Sequence, residues 1–167
     1  MKSVTQSEAI LSLKLLRAAD QCFNAAVMSM ARREIGDMVN YEAIEACPGA
    51  TKRVNALYDD GELLLLGQAI EILKRSINAN PYLPSAHVSL AMAYAEVGNN
   101  ADDCLASFDN ALLLDPGDMK VLFSKTWCLI DNDRHEEALV AISQLEKSGH
   151  EGVDWLKREF ADRQRDG

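Results

Sequence analysis

The residues of this chain that could do chemistry are few and poorly spaced for it. The richest cluster of ligand-capable groups is Asp131-Asn132-Asp133-Arg134-His135-Glu136-Glu137. Alternating carboxylate and amide oxygens suit a calcium ion, but a calcium loop needs glycine at its sixth place to turn sharply and glutamate at its twelfth to close the shell. Glu136 and Ile142 stand at those places, so the cluster reads as a turn between helices. His87, His135 and His150 are scattered, and no two have the four-residue spacing that puts a metal pair on one helix face. Cys22, Cys47, Cys104 and Cys128 form no C-x-x-C pair, so neither a zinc knuckle nor a thioredoxin-type dithiol is written here. Each lies in an apolar context and reads as a small buried hydrophobe, which fits a reducing compartment. The glycines make no phosphate-binding fingerprint, and no G-x-S-x-G elbow occurs. The sequence therefore assigns no catalytic residue, no metal ligand and no cofactor, and points away from an enzyme.

Composition narrows the class further. With 167 residues, 48% of them hydrophobic, the chain has apolar material for a single compact or short solenoidal domain. A net charge of -9 argues against nucleic acid, whose binding rests on Lys and Arg neutralising phosphates. Between Tyr82 and Gly117 the charged residues are Glu96, Asp102, Asp103, Asp109 and Asp115, with no Lys or Arg. That strip is a solvated acidic face that aids solubility, or a field that a basic partner would feel. The apolar run Ala9 to Leu13 is interrupted by Lys14, Arg17 and Asp20, too soon for a signal segment. No stretch approaches the ~20 apolar residues needed to cross a bilayer. A cytoplasmic protein without membrane insertion is expected.

The elements behind these residues repeat. Ala69-Ile70, Leu73, Ser76-Ile77 and Asn80-Pro81 return as Cys104-Leu105, Phe108, Ala111-Leu112 and Asp115-Pro116, 35 residues on. A third copy appears as Ala138-Leu139, Ile142 and Leu145, 34 residues further. Partner helices lie between them. Pro84 to Val97 carries Ala86, Leu90, Ala91, Ala93 and Tyr94 before the stop at Gly98, and Met119 to Asp131 carries Leu122, Trp127, Leu129 and Ile130. A fixed period of this length is the mark of stacked helix pairs.

These segments resemble the tetratricopeptide repeat (TPR), whose pattern is a Trp-x2-Leu-Gly-x2-Tyr helix followed by an Ala-x3-Phe helix and a proline. His87, Leu90, Ala91, Tyr94, Cys104, Phe108, Ala111 and Pro116 follow that order. One additional residue in the inner turn, and Lys125 and Thr126 in the next copy, depart from it. The resemblance implies an all-α fold, a TPR α-solenoid of stacked antiparallel helix pairs with repeats at 50–83 (degenerate), 84–117 and 118–148.

The remaining chain flanks that array. Residues 1–49 read as an N-terminal helical segment packing on the repeats. Its long helix from Thr5 to Ile35 opens on a capping-box spacing at Thr5 and Glu8, and a short helix from Asn40 to Cys47 is closed by Pro48-Gly49. Its apolar face, from Ile10, Leu13 and Leu16 to Met30 and Ala31, is widened by Leu11, Leu15, Ala18, Cys22, Ala25 and Ala26 beyond what one neighbour needs. It either lies between two layers or meets a second copy. Residues 149–167 read as a C-terminal capping helix, with Val153, Trp155, Leu156 and Phe160 inward and Lys157, Arg158, Arg163 and Arg165 wet.

In the family that these repeats resemble, partners commonly lie in the concave surface lined by the first helix of each pair. Carried over, that lining is Ser85, Val88, Ser89, Met92 and Glu96 from one pair and Lys120, Phe123, Ser124, Trp127 and Asp131 from the next. It lacks the Lys, Asn and Arg of a carboxylate clamp and is apolar and aromatic instead, suited to an amphipathic helix or extended apolar segment. The chain's own terminal helices are the competing cover for Phe123 and Trp127. The expected function is a protein-protein interaction module: an adaptor, assembly factor or chaperone. Two alternatives stand beside it, a type III secretion-type chaperone for an exported protein, suggested by size, acidity and architecture, and a structural protein forming a homodimer through its N-terminal helix.

Overall fold

The structure, a computed structural model, describes residues 3–35, 58–98 and 100–166, and every element among them is a helix. The expected short helix at Asn40 to Cys47, and Val54 and Leu57 of the degenerate repeat, lie outside the described residues.

Local chemistry explains where the helices start and stop. Helix α1 (Gln6–Ile35) opens on Thr5, whose Oγ1 accepts from Glu8 N at 3.2 Å while Glu8 Oε2 accepts from Thr5 N at 2.8 Å. This reciprocal box satisfies N–H groups that the first turn leaves orphaned. Helix α2 (Asp60–Ala79) is opened by the same device between Asp59 and Glu62. Helix α3 (Pro84–Val97) places Pro84 in its first turn, where a missing N–H costs nothing, and ends at Gly98 with φ 68°. Helices α4 (Ala101–Leu114) and α5 (Met119–Asp131) follow, the latter capped by Asp118, which accepts from the amides of Lys120 and Val121. Asp133 turns the chain with φ 59°, a conformation short polar side chains tolerate, into α6 (His135–Ser148). Gly149 closes α6 at φ 71°, and α7 (Val153–Asp166) ends the described chain.

The period read from the sequence is the period of the helices. Helices α2, α4 and α6 end at residues 79, 114 and 148, and α3, α5 and α7 begin at 84, 119 and 153, so both sets step by 35 and then 34 residues. Equivalent positions are buried alike. Ala69, Cys104 and Ala138 are inside, as are Leu73, Phe108 and Ile142, and Ser76, Ala111 and Leu145. Each fully buried Leu, Ile or Phe among them contributes roughly 1.5–3 kcal/mol relative to an exposed one. The departures have local explanations. Thr126, with no exposed surface, donates from Oγ1 to the Leu122 carbonyl at 2.7 Å, and Lys125 reaches across to Asp109. Leu139 breaks the pattern: Ile70 and Leu105 are buried, but Leu139 is 51% exposed.

Consecutive helices pack on one another from α2 to α7; α1 lies along α2 and touches α3, and α7 touches α5 as well as α6. Helix α1 runs antiparallel to α2, because Ser12 meets Ser76, Ala19 clusters with Ala69 and Leu73, and Ala26 clusters with Leu66 and Tyr58. Ser12, Ala19 and Ala26 are wholly buried at seven-residue intervals. Such a seam of small side chains lets two helix backbones approach closely. Within it Ser76 Oγ donates to the Ser12 carbonyl at 2.8 Å, so neither buried hydroxyl is stranded.

Candidate partner-binding face

Helices α3 and α5 carry the ten residues expected to line a groove, and the structure separates them into covered and open sets. Phe123, Trp127 and Asp131 recur every four residues along α5, so one helix face presents all three. That face is under α7. The Phe123 ring stacks on His150 at 5.1 Å between centroids and meets Trp155 at 6.0 Å. Trp127 lies 4.8 Å from Trp155, with the Arg163 guanidinium 5.8 Å from its ring centroid. Asp131, only 4% exposed, pairs with Arg163 Nη2 at 2.7 Å. Of the four cations expected on the wet side of the last helix, Lys157, Arg158 and Arg165 are exposed, and Arg163 is not. The correction has a plain cause: a carboxylate buried on α5 needs a compensating charge, and Arg163 is the α7 residue that reaches it.

On α3 the neighbours come from the other side. Ser89 Oγ donates to Asp20 Oδ1 of α1 at 3.2 Å, and Val88 is half-buried against the central core. Glu96 Oε2 accepts from the Tyr58 hydroxyl at 2.8 Å. Burial pushes the Glu96 carboxyl above its ordinary range, and the hydrogen bond from Tyr58 offsets only part of that. Burial, followed by the nearby carboxylates of Glu96 and Glu62, raises the Tyr58 hydroxyl, which therefore stays protonated and able to donate. The open residues are Ser85, Met92, 39% exposed, and Lys120; Ser124 turns its hydroxyl back to the Lys120 carbonyl at 3.1 Å.

Sequence reasoning missed Tyr58, Arg163 and His150 as partners of this face. A signal for the α7 contacts was present: Val153 follows Met119 by 34 residues, the interval at which helix starts recur. For Tyr58 and Glu96 the sequence offers no spacing signal, since 38 residues separate them.

Elsewhere, a shallow depression of about 490 Å³ lies on α2, lined by Leu63, Leu64, Gly67, Gln68, Glu71 and Ile72. Its lining is apolar with little to orient a small molecule. Among the described residues no three His, Cys, Asp or Glu side chains come together as a metal site, and no helix is long and apolar enough to cross a membrane.

These features define an all-helical protein of consecutively packed helices. Comparison with protein-family models, curated proteins and solved structures finds no match.

Proposed function

We propose that the chain is a protein-protein interaction module built of stacked TPR-type helix pairs, which holds an apolar or amphipathic segment of a partner against the inner face of α3 and α5. The observation that carries this reading is the shared 35- and 34-residue step in helix ends, helix starts and buried positions. Units that repeat in this way bury a continuous core by stacking, and of the face that α3 and α5 share, Ser85, Met92 and Lys120 remain open. Its roles would be those of an adaptor, assembly factor or chaperone in the cytoplasm.

The mechanism is burial of apolar partner surface on the open part of that face, centred on Met92, whose flexible thioether adapts to irregular shapes. Lys120 and the acidic strip of α3 and α4 orient the partner and set its association rate. The test is partner capture from native cells followed by affinity measurement with Met92→Glu and Lys120→Glu. A loss of about tenfold or more for Met92→Glu, equivalent to ~1.4 kcal/mol, with helicity unchanged, is expected; undiminished affinity in both variants rejects the face.

A second reading is favoured by one observation. Ile10, Leu11 and Leu13 of α1 are each about half exposed, at 47%, 48% and 49%, which supports self-association through that end of the helix. Light scattering over a dilution series separates a concentration-dependent dimer from a monomer.

A further inference from the structure

Cys104 and Cys128 are 24 residues apart in the chain, yet the packing of α4 on α5 brings their Sγ atoms to 3.1 Å. Both are free thiols, 1% and 5% exposed, and they face each other across the joint between one helix pair and the next. We propose that they are a disulfide-forming pair, oxidised by a small-molecule disulfide or a peroxide, whose closure locks α4 to α5. The chemistry stands apart from the partner-binding reading, because it concerns only these two sulfurs and their surroundings.

Three features support it. A disulfide bond is about 2.05 Å long, so closure needs the sulfurs to approach by only about 1 Å. The two thiols are also unequal. The Cys104 thiol hydrogen-bonds to the Cys128 sulfur and holds Cys128 below its ordinary thiol range; the Asn132 amide 3.6 Å away helps, while burial and Asp131 oppose. The same bond, followed by burial, pushes Cys104 up. Cys128, which accepts from the Asn132 amide and is the more exposed of the two, is therefore the sulfur that attacks. Lastly, Asn132 is itself exposed at the end of α5, so the Cys128 side of the pair lies nearer to solvent.

With a glutathione-type disulfide the step balances as two exchanges. The Cys128 thiolate attacks one sulfur of the reagent, a mixed disulfide forms, and the first small thiolate leaves with the proton that Cys128 lost. Cys104 then attacks the Cys128 sulfur, the internal bond forms, and the second small thiolate leaves with the Cys104 proton. Two protein thiols are oxidised and one reagent disulfide is reduced to two thiols. With hydrogen peroxide the Cys128 thiolate breaks the O–O bond to form a sulfenic acid, and the hydroxide released takes the proton that Cys128 lost and becomes water. Cys104 then displaces the sulfenic hydroxyl, which leaves as a second water with the Cys104 proton.

The test uses the whole chain, folded, incubated with oxidised glutathione or hydrogen peroxide, then denatured, alkylated and mapped by mass spectrometry. The expected result is a mass loss of about 2 Da in the intact chain, a cross-linked peptide joining Cys104 to Cys128, and a melting midpoint roughly 5–15 °C above the reduced form. Cys128→Ser should lose both the cross-link and the midpoint shift, whereas Cys22→Ser should keep both. Full alkylation of Cys104 and Cys128 after exhaustive oxidation, or a cross-link that forms only in denaturant, would overturn the proposal.

Discussion

Gly152 offers the sharpest probe of how α7 is seated. It lies in the turn between α6 and α7, and a Cβ built on it would stand 2.4 Å from Phe123 Cε2, 3.1 Å from Cζ and 3.2 Å from Cδ2. Two unbonded carbons are comfortable at about 3.5–4.0 Å, so Gly152→Ala forces the ring or the turn to shift by more than about 1 Å. The ring has little room, because His150 stacks on it and Trp155 stands 6.0 Å away. Gly152 is not among the glycines with positive φ, so alanine meets no backbone penalty and the effect is steric alone. Overpacking of this kind costs about 1–3 kcal/mol. At about 2–4 °C per kcal/mol for a chain of this size, the melting midpoint should fall by roughly 2–12 °C. The cheapest relief is for α7 to lift from α5, which separates Trp127 from Trp155. Both of the chain's two tryptophans lie in this joint, so tryptophan emission, excited selectively over the four tyrosines, reports on it. Circular dichroism melts and emission spectra of the wild type, Gly152→Ala, Phe123→Leu and the double variant complete the cycle. Phe123→Leu should recover at least about 1 kcal/mol in the Gly152→Ala background. An unshifted midpoint and emission in Gly152→Ala, or a double variant whose losses simply add, would refute the docking of the turn on Phe123.

Other outcomes follow from the same geometry. Folding raises the Glu96 carboxyl above its ordinary value of 4.5, so its stabilising contribution is complete below that value and is lost as pH climbs through the folded-state pKa. Glu96→Gln removes that loss; in denaturation from pH 4 to pH 8 it should gain stability relative to wild type as pH rises, and a flat or falling difference would count against the burial argument. Ala19→Leu puts a large side chain into a wholly buried position of the α1–α2 seam, and a chemical-denaturation loss of about 1–3 kcal/mol is expected. Arg163→Ala removes the hydrogen-bonded cation from buried Asp131 and should cost about 1.5–3 kcal/mol, whereas Arg165→Ala, at an exposed site on the same helix, should stay within about 0.5 kcal/mol of wild type by the same measurement.

The elements were legible in the sequence where local chemistry or a repeat defines them. The Thr5 and Glu8 box, Pro84, the stops at Gly98 and Gly149, and the step from Leu73 to Phe108 to Ile142 each carry a physical signal within a few residues or one period. The inward set Val153, Leu156 and Phe160 of the last helix was equally readable, since apolar residues three and four apart fall on one face. What was not legible is which of two neighbours a half-apolar helix face meets. Phe123 and Trp127 have the composition of an open aromatic groove and of a stacking interface alike, and only the position of α7 distinguishes them. Arg163 looks from its spacing like a surface cation, and it is drawn inward by Asp131, 32 residues away. The approach of Cys104 to Cys128 was hidden for the same reason. Cysteine spacing in sequence says nothing about sulfurs on facing helices.

The register of α7 also determines what a partner has left to touch. Helix α7 starts 34 residues after α5 starts, and its Trp155 and Arg163 cover Trp127 and Asp131 of α5. A buried ion pair of this kind adds little net stability over an apolar pair, but it penalises any seating in which Asp131 loses its cation, so it fixes one register for α7. Met92, Ser85 and Lys120 alone are far smaller than the roughly 800 Å² per partner of a stable complex. For the proposed function, a partner must therefore be long enough to continue over the exposed α7 positions that follow the α5 lining by one repeat interval, Asp154, Lys157, Arg158, Ala161 and Arg165. That row is apolar at Met92 and Ala161, and beside them it carries Lys120, Lys157, Arg158 and Arg165 against Asp154. The occupant that fits the proposed function is an amphipathic helix with carboxylates at its margins, and a uniformly basic segment would meet Lys120 and Arg158 as like charges.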